Sequence, residues 1–202
     1  MFKMTHKPGG WVLTTLYAFQ GGNDSGWPRA GLVFGPDGTL YGTTQRNHGA
    51  VFNLRPPATV CRAVSCPWTL TVLHTFTNGS DGGAPGYGSL IFDQQGNLYG
   101  TTEEGGSYGA GIVFELTRSG SGWSENVIYN FLTDPSVECS PLGGVIFDRA
   151  GNLWGTTLGC GGQHGAVPGR RNGLTADDFR SFAAVWSSGR CCARDGRAPF
   201  QI

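Results

Sequence analysis

Charge is what this sequence has least of: Asp, Glu, Lys and Arg make up 14% of its 202 residues, against about a quarter in an ordinary globular chain. The 14 basic residues equal the 14 acidic ones, so no strong field draws in a polyanion and nucleic acid is excluded as a partner. Long apolar runs are also missing, and none approaches the roughly 20 residues a spanning helix needs, so no membrane span is expected. The opening MFKMTHKPGG has no apolar h-region, and no signal peptide is expected in this chain. Helical patterning is almost unsupported before residue 170. What is abundant is glycine, 35 residues beside a 39% hydrophobic content. That is enough apolar matter for a core, and glycine in such number implies many tight turns between short strands.

Three spellings of one segment dominate the chain: GTLYGTT at Gly38 to Thr44, GNLYGTT at Gly96 to Thr102 and GNLWGTT at Gly151 to Thr157. They belong to a longer repeat. Trp11, Trp68 and Trp123 are spaced by 57 and 55 residues, Phe19, Phe76 and Phe131 keep the same offsets, and Phe34, Phe92 and Phe147 run at 58 and 55. Length changes therefore fall in the Gly/Pro-rich joints, the signature of a structural repeat.

Each unit reads as four strands. The first is a short apolar run, Leu32 to Phe34, Leu90 to Phe92 and Val145 to Phe147, expected to be buried on both faces. A turn such as DQQGN follows, with Asp capping and Gly or Asn in the left-handed position. The second strand is LYGTT, whose Gly suggests close backbone approach. The third is AVFNL or IVFEL. In the fourth, WTLTVLHTF, alternation places Trp68, Leu70, Val72, His74 and Phe76 on one face and Thr69, Thr71, Leu73 and Thr75 on the other. The expected fold class is all-β: a β-propeller-like array of four-stranded antiparallel blades, incomplete, with two full blades and partial ones. Tyr41, Tyr99 and Trp154 are then wedges between neighbouring blades rather than a ligand groove.

GGSYGAGIVFELT and GSDGGAPGYGSLIFDQQGNLYGTTEEGG, with their copies, resemble the Gloeo-Verruco (GloVer) repeat of bacterial proteins that are often secreted or surface-sorted. The resemblance covers about residues 11–167. It implies a propeller-like extracellular or cell-surface protein and brings no catalytic residue with it. The expected organisation is an N-terminal extension over 1–10, a repeat domain over 11–167 with units starting near 11, 68 and 123, and a non-repeat tail over 168–202. The strand of Trp11 to Phe19 is expected to complete a blade whose first three strands come from the C-terminus. Two readings compete for the tail: a natural segment with a helix at TADDFRSFAAVW, and a frameshift or truncated gene product, favoured by the mid-strand break and the basic run Arg170, Arg171, Arg190, Arg194 and Arg197.

Cys61 with Cys66, in one loop, and Cys139 with Cys160, on one end of neighbouring blades, are sterically conceivable disulfides, and free thiols are the alternative. No metal-ligand spacing occurs, and no cofactor is expected. His48 and His164 precede third strands and read as loop caps, while His74 reads as packing. Glu103 and Glu104 diverge if extended, poor geometry for a paired acid and base. Asp24 and Asp81 read as turn formers rather than calcium ligands. No catalytic residue emerges. The leading expectation is a non-enzymatic extracellular binding or scaffold protein, meeting a glycan or protein on the end where loops after strands two and four open. A lactonase-like metal-dependent hydrolase is the alternative, and self-association through incomplete blades is expected.

Overall fold

The computed structural model describes residues 1–57, 68–120, 122–132 and 140–158 and the backbone of 197–201. The Cys61, Cys66, Cys139 and Cys160 pairings, His164 and the tail helix lie outside them. The described residues form only strands, in small antiparallel sheets none of which closes on itself. β1 (Phe2–Lys7) and β2 (Gly10–Thr15) form a hairpin; β3 (Val33–Phe34), β4 (Leu40–Thr44), β5 (Ala50–Arg55) and β6 (Thr69–Thr75) form the first full sheet in that order. In the second, β7 (Gly83–Pro85) and β8 (Ile91–Phe92) both pair with β9 (Leu98–Glu104), followed by β10 (Ile112–Ser119) and β11 (Gly122–Asn130). β12 (Ile146–Phe147), β13 (Leu153–Leu158) and β14 (Arg197–Gln201) make the third.

Residues 1–10, read from sequence as an extension, are mostly strand. β1 pairs with β2 in the register Phe2 to Thr15, so β2 joins its own upstream neighbour rather than a strand from the C-terminus. Phe2 and Trp11 are nine residues apart, as are Phe114 and Trp123; β1 and β2 are thus the third and fourth strands of one more repeat. The face that buries Phe52 and Phe114 in the full sheets is open here, with Phe2, Met4, Trp11 and Leu13 exposed, and Val12 is exposed on the opposite face.

Apolar residues hold the sheets face to face in three clusters. Leu40, Phe52 and Leu54 of the first sheet meet Leu16 and Phe19; Leu90, Leu98, Ile112, Phe114 and Leu116 of the second meet Tyr41, Val51 and Phe76 of the first; Val145 and Leu153 of the third meet Val113 and Phe131. Phe52 stands edge-on to Phe19 at 5.6 Å and Phe114 edge-on to Phe76 at 5.2 Å, a favoured ring geometry.

Strict alternation fails in the fourth strand. A register shift at Val51/Phe52 against β6, repeated at Val113/Phe114 against β11, leaves one extra residue in each fourth strand. This bulge turns the chain over. Trp68 and Leu70 pack back toward the preceding cluster, while Leu73 and Phe76 pack forward; Trp123 and Val127 likewise face back and Ile128 and Phe131 forward. One strand thereby serves two interfaces, and Leu70 and Phe76 do not share a face. The first strand also departs from expectation: Phe34 is 72% and Ile146 65% exposed, whereas their counterparts in β8, Phe92 and Ile91, pack against the first-sheet and third-sheet sides respectively, so exposure follows which side of each sheet is covered.

Candidate functional site

The recurring aromatics answer to turn chemistry at one end of the sheets. Asp93 accepts the Asn97 amide at 2.8 Å and its side-chain Nδ2 at 2.8 Å, and the Tyr99 hydroxyl shares its one hydrogen between Glu115 at 2.6 Å and the Asp93 carboxylate at 3.2 Å. Asp148 repeats this with Asn152 at 2.9 and 2.7 Å and with Trp154 Nε1 at 3.0 Å. In the first sheet Gly35 stands where Asp93 would, and Asp37, two residues on, receives Thr39 at 3.1 Å and the Tyr41 hydroxyl at 3.0 Å. Gly38, Gly96 and Gly151 hold the left-handed backbone, with φ of 74, 86 and 91°. The hydrogen bonds from Asn152 and then Trp154 hold the Asp148 carboxyl down at about 2. Burial works to raise Asp37, but the bonds from Thr39 and Tyr41 outweigh it and its pKa lies below the ordinary value. Burial, then the Glu115 hydrogen bond, raises the Tyr99 hydroxyl.

Beyond their polar atoms, these rings pack. Tyr41 is edge-on to Phe92 at 4.9 Å and Tyr99 to Phe147 at 5.1 Å, each reaching the first strand of the next sheet. Trp123 sits 6.3 Å from Tyr41, Trp68 lines the earlier cluster, and Trp11 is 65% exposed with His6 against it. The glycine after each Tyr makes room for a ring rather than a backbone: a Cβ on Gly100 would lie 2.6 Å from Phe114 Cζ, and one on Gly42 2.7 Å from Phe52 Cζ.

The opposite end, where loops after strands two and four meet, is built differently. Asp24 accepts the amides of Gln20 at 2.7 Å and Gly21 at 2.8 Å, and Asp81 accepts the Thr77 amide at 2.9 Å and hydroxyl at 2.5 Å. All six non-glycine residues with left-handed backbone in the described residues, Ser25, Trp27, Asn47, His48, Asn78 and Ala84, are at this end. Such conformations persist only where surrounding structure holds them. His48 is exposed and its carbonyl accepts the Ala84 amide at 2.7 Å. His74 stands edge-on to Phe76 at 4.7 Å with Nε2 3.5 Å from Asp81 Oδ2; burial lowers its pKa, opposed by that carboxylate.

Two neighbouring features open to solvent there. A cleft of about 510 Å³ is lined by Asn78, Gly79, Ser80, Glu104, Gly106 and Ser107, among others. Beside it, Arg29 Nη1 donates to the Tyr87 hydroxyl at 2.6 Å, and the Arg29 and Arg46 guanidinium carbons lie 6.0 and 5.8 Å from the Trp27 ring centre. Glu103 accepts from Gln45 Nε2 at 3.4 Å; burial, then the Glu104 charge, raises its pKa, with Arg29 pulling the other way. Glu103 and Glu104 diverge, one to this aromatic patch and one to the cleft. The loops of this end are marked in the sequence by the repeat, but Trp27, Arg29, Arg46 and Tyr87 occur once and leave no trace in a repeat pattern.

Among the described residues no three His, Cys, Asp or Glu side chains converge to hold a metal ion, and no helix is long and apolar enough to cross a membrane. No curated protein and no solved structure matches the chain. The model of the Gloeobacter/Verrucomicrobia repeat matches residues 1–167, and that span takes in β1 to β13 and both ends described above, leaving out β14 of the third sheet. The chain belongs to the Gloeobacter/Verrucomicrobia repeat family.

Proposed function

We propose that this chain is a non-enzymatic binding or scaffold protein whose sheets are blades of a propeller-like array and whose loop end meets a glycan or a protein partner. The observation that carries this reading is a division of labour. The repeated Asp, Tyr and Trp side chains at one end are engaged with one another and with the next sheet. Left-handed non-glycine backbone, the cleft and the exposed rings of Trp27 and Tyr87, the former within cation–π distance of Arg29 and Arg46, lie at the other. Loops placed on a rigid scaffold are where proteins recognise ligands. Face-to-face stacking of successive sheets, with the same side chains at each junction, supports the propeller-like arrangement. The resemblance to secreted and surface-sorted repeat proteins supports an extracellular setting.

Affinity electrophoresis in gels containing soluble polysaccharides tests the reading. Retardation by at least one polymer is expected. It should be reduced by Ser80→Arg, which obstructs the cleft, and kept by Gln94→Arg at the other end; both positions are exposed. Equal loss from both variants, or turnover of a lactone by the purified chain, would count against it.

A further inference from the structure

We propose, resting on the loop-end reading, that Trp27, Arg29, Arg46 and Tyr87 form a recognition patch for a carboxylate-bearing saccharide, the uronic-acid unit of an acidic glycan. The turn itself does not need the indole. Ala84 occupies the same place in the next repeat, with the same left-handed backbone (φ 48° against 56°), and is 8% exposed. Trp27 is 59% and Tyr87 51% exposed, two large rings open to solvent on neighbouring loops.

The charges point to an anion. Two guanidiniums share the Trp27 ring, and Arg29 also lies 5.5 Å from the Tyr87 ring. The ion pairs among the described residues are His74 with Asp81 and Arg118 with Asp37, so neither Arg29 nor Arg46 has such a partner. The next repeat has Gly86 and Glu104 at these places, so the pair of cations is particular to this junction. A guanidinium donates up to five N–H bonds in a planar fork that fits a carboxylate. Arg29 uses one on Tyr87, which fixes the fork and leaves the others free.

The uncharged part of the ligand is read from what lies alongside. Gln45 is tied to the patch by its amide, which donates to the Trp27 carbonyl at 3.2 Å, and its side chain reaches Glu103 at 3.4 Å. A carboxylate at the rim repels a second anionic group and accepts from a hydroxyl. That favours a ring carrying one acid group and several hydroxyls, whose C–H face lies on Trp27 or Tyr87, over an acidic peptide or a densely sulfated polymer.

The test is affinity electrophoresis of the full chain and its variants in polygalacturonate, fully methyl-esterified polygalacturonate, dextran sulfate and polyglutamate. Retardation is expected in polygalacturonate, falling with added salt and lost on esterification. Arg29→Gln with Arg46→Gln should weaken it about tenfold or more. Trp27→Asn should do the same without lowering the melting midpoint, since Asn tolerates left-handed backbone. Equal retardation by the esterified polymer, retardation that survives the double Arg variant, or stronger retardation by dextran sulfate or polyglutamate would overturn the uronate assignment while leaving the loop-end reading in place. No retardation by any polysaccharide would overturn the uronate assignment together with the glycan form of the loop-end reading, leaving only a protein partner for that end.

Discussion

At the loop end of the first sheet Asp24 gathers the amides of Gln20 and Gly21; at the same place on the second sheet Asp81 gathers the amide and hydroxyl of Thr77. The backbone path is shared, but what is mounted on it is not. After the aspartate, the left-handed residue is Ser25 in one and Gly82 in the other, and two positions later Trp27 faces Ala84 as its counterpart. At the end of the second strand Arg46 corresponds to Glu104. The Arg46 side chain lies where a Cβ on Gly21 would go and close to Gly26, so it fills the first groove. Glu104 leaves the second open as a cleft. The lesson is that the aspartate sets the loop and one side chain on the neighbouring loop decides whether a groove exists.

The most severe test of that shared backbone is to exchange its left-handed residues. A Cβ on Gly82, at φ 80°, would stand against Thr102 Oγ1 and 2.9 Å from Ile112 Cγ1, and both side chains are fully buried. Gly82→Ser should therefore cost about 3 kcal/mol, combining left-handed strain with overpacking, measured by denaturant unfolding. A loss under about 1 kcal/mol would mean the second loop can adopt the path the first one takes around Ser25. Next in size is removal of the aspartates. Asp24 is 8% exposed and also receives the Tyr17 hydroxyl at 3.2 Å, so Asp24→Ala should cost about 2–3 kcal/mol, and the more exposed Asp81→Ala about 1. Equal costs would break the comparison, because burial would then play no part in it.

The similarity of the two loops was far more legible than their difference. Four strands per unit, the turn glycines and the Asp-centred loops recur, and recurrence is what a lone sequence displays. β1 was legible as well, through the nine-residue interval from Phe2 to Trp11 shared with Phe114 and Trp123, yet its His and Lys residues dilute the apolar alternation that marks a strand. The bulges at Leu73 and Ile128 were hidden, because inserting one residue changes which face a side chain takes without changing composition. Arg46 over Gly21 was hidden too. A long side chain closing a groove depends on contact between loops 25 residues apart, and no periodicity carries that information.

A smaller effect separates the two fourth strands by pH. Glu125 in β11 corresponds to Leu70 in β6. Burial, and then the Asp81 charge, pushes its carboxyl up to about 7, and Oε1 is buried with no hydrogen-bond partner. An unfolded Glu titrates near ~4.3, so the folded state holds the proton more tightly. Its contribution is complete below that value and declines as pH rises through about 7. Glu125→Gln should leave stability at pH 4 nearly unchanged and raise it at pH 8 by about 1–2 kcal/mol, a figure discounted for solvent screening. His74 has the opposite sign. With its pKa lowered by burial, stability is kept above its unfolded value and lost as pH falls below it. His74→Tyr, the residue found at the matching positions 17 and 129, should flatten the acid side of the same profile.

The finest discrimination lies in the reverse of the first exchange, Ser25→Gly. Left-handed backbone at φ 58° costs Ser25 about 1 kcal/mol or more, which glycine removes. Glycine in turn gives the unfolded chain more conformations to lose, about 0.5–1 kcal/mol against folding. The Ser25 amide still donates to the Gly22 carbonyl at 3.1 Å whatever the side chain. The two terms nearly cancel, so a gain of a few tenths of a kcal/mol is expected in denaturant unfolding. A loss above about 1 kcal/mol would show that the 6% exposed Ser25 side chain holds its loop through a contact Gly82 lacks. The loop ends would then share their aspartates and not their turns.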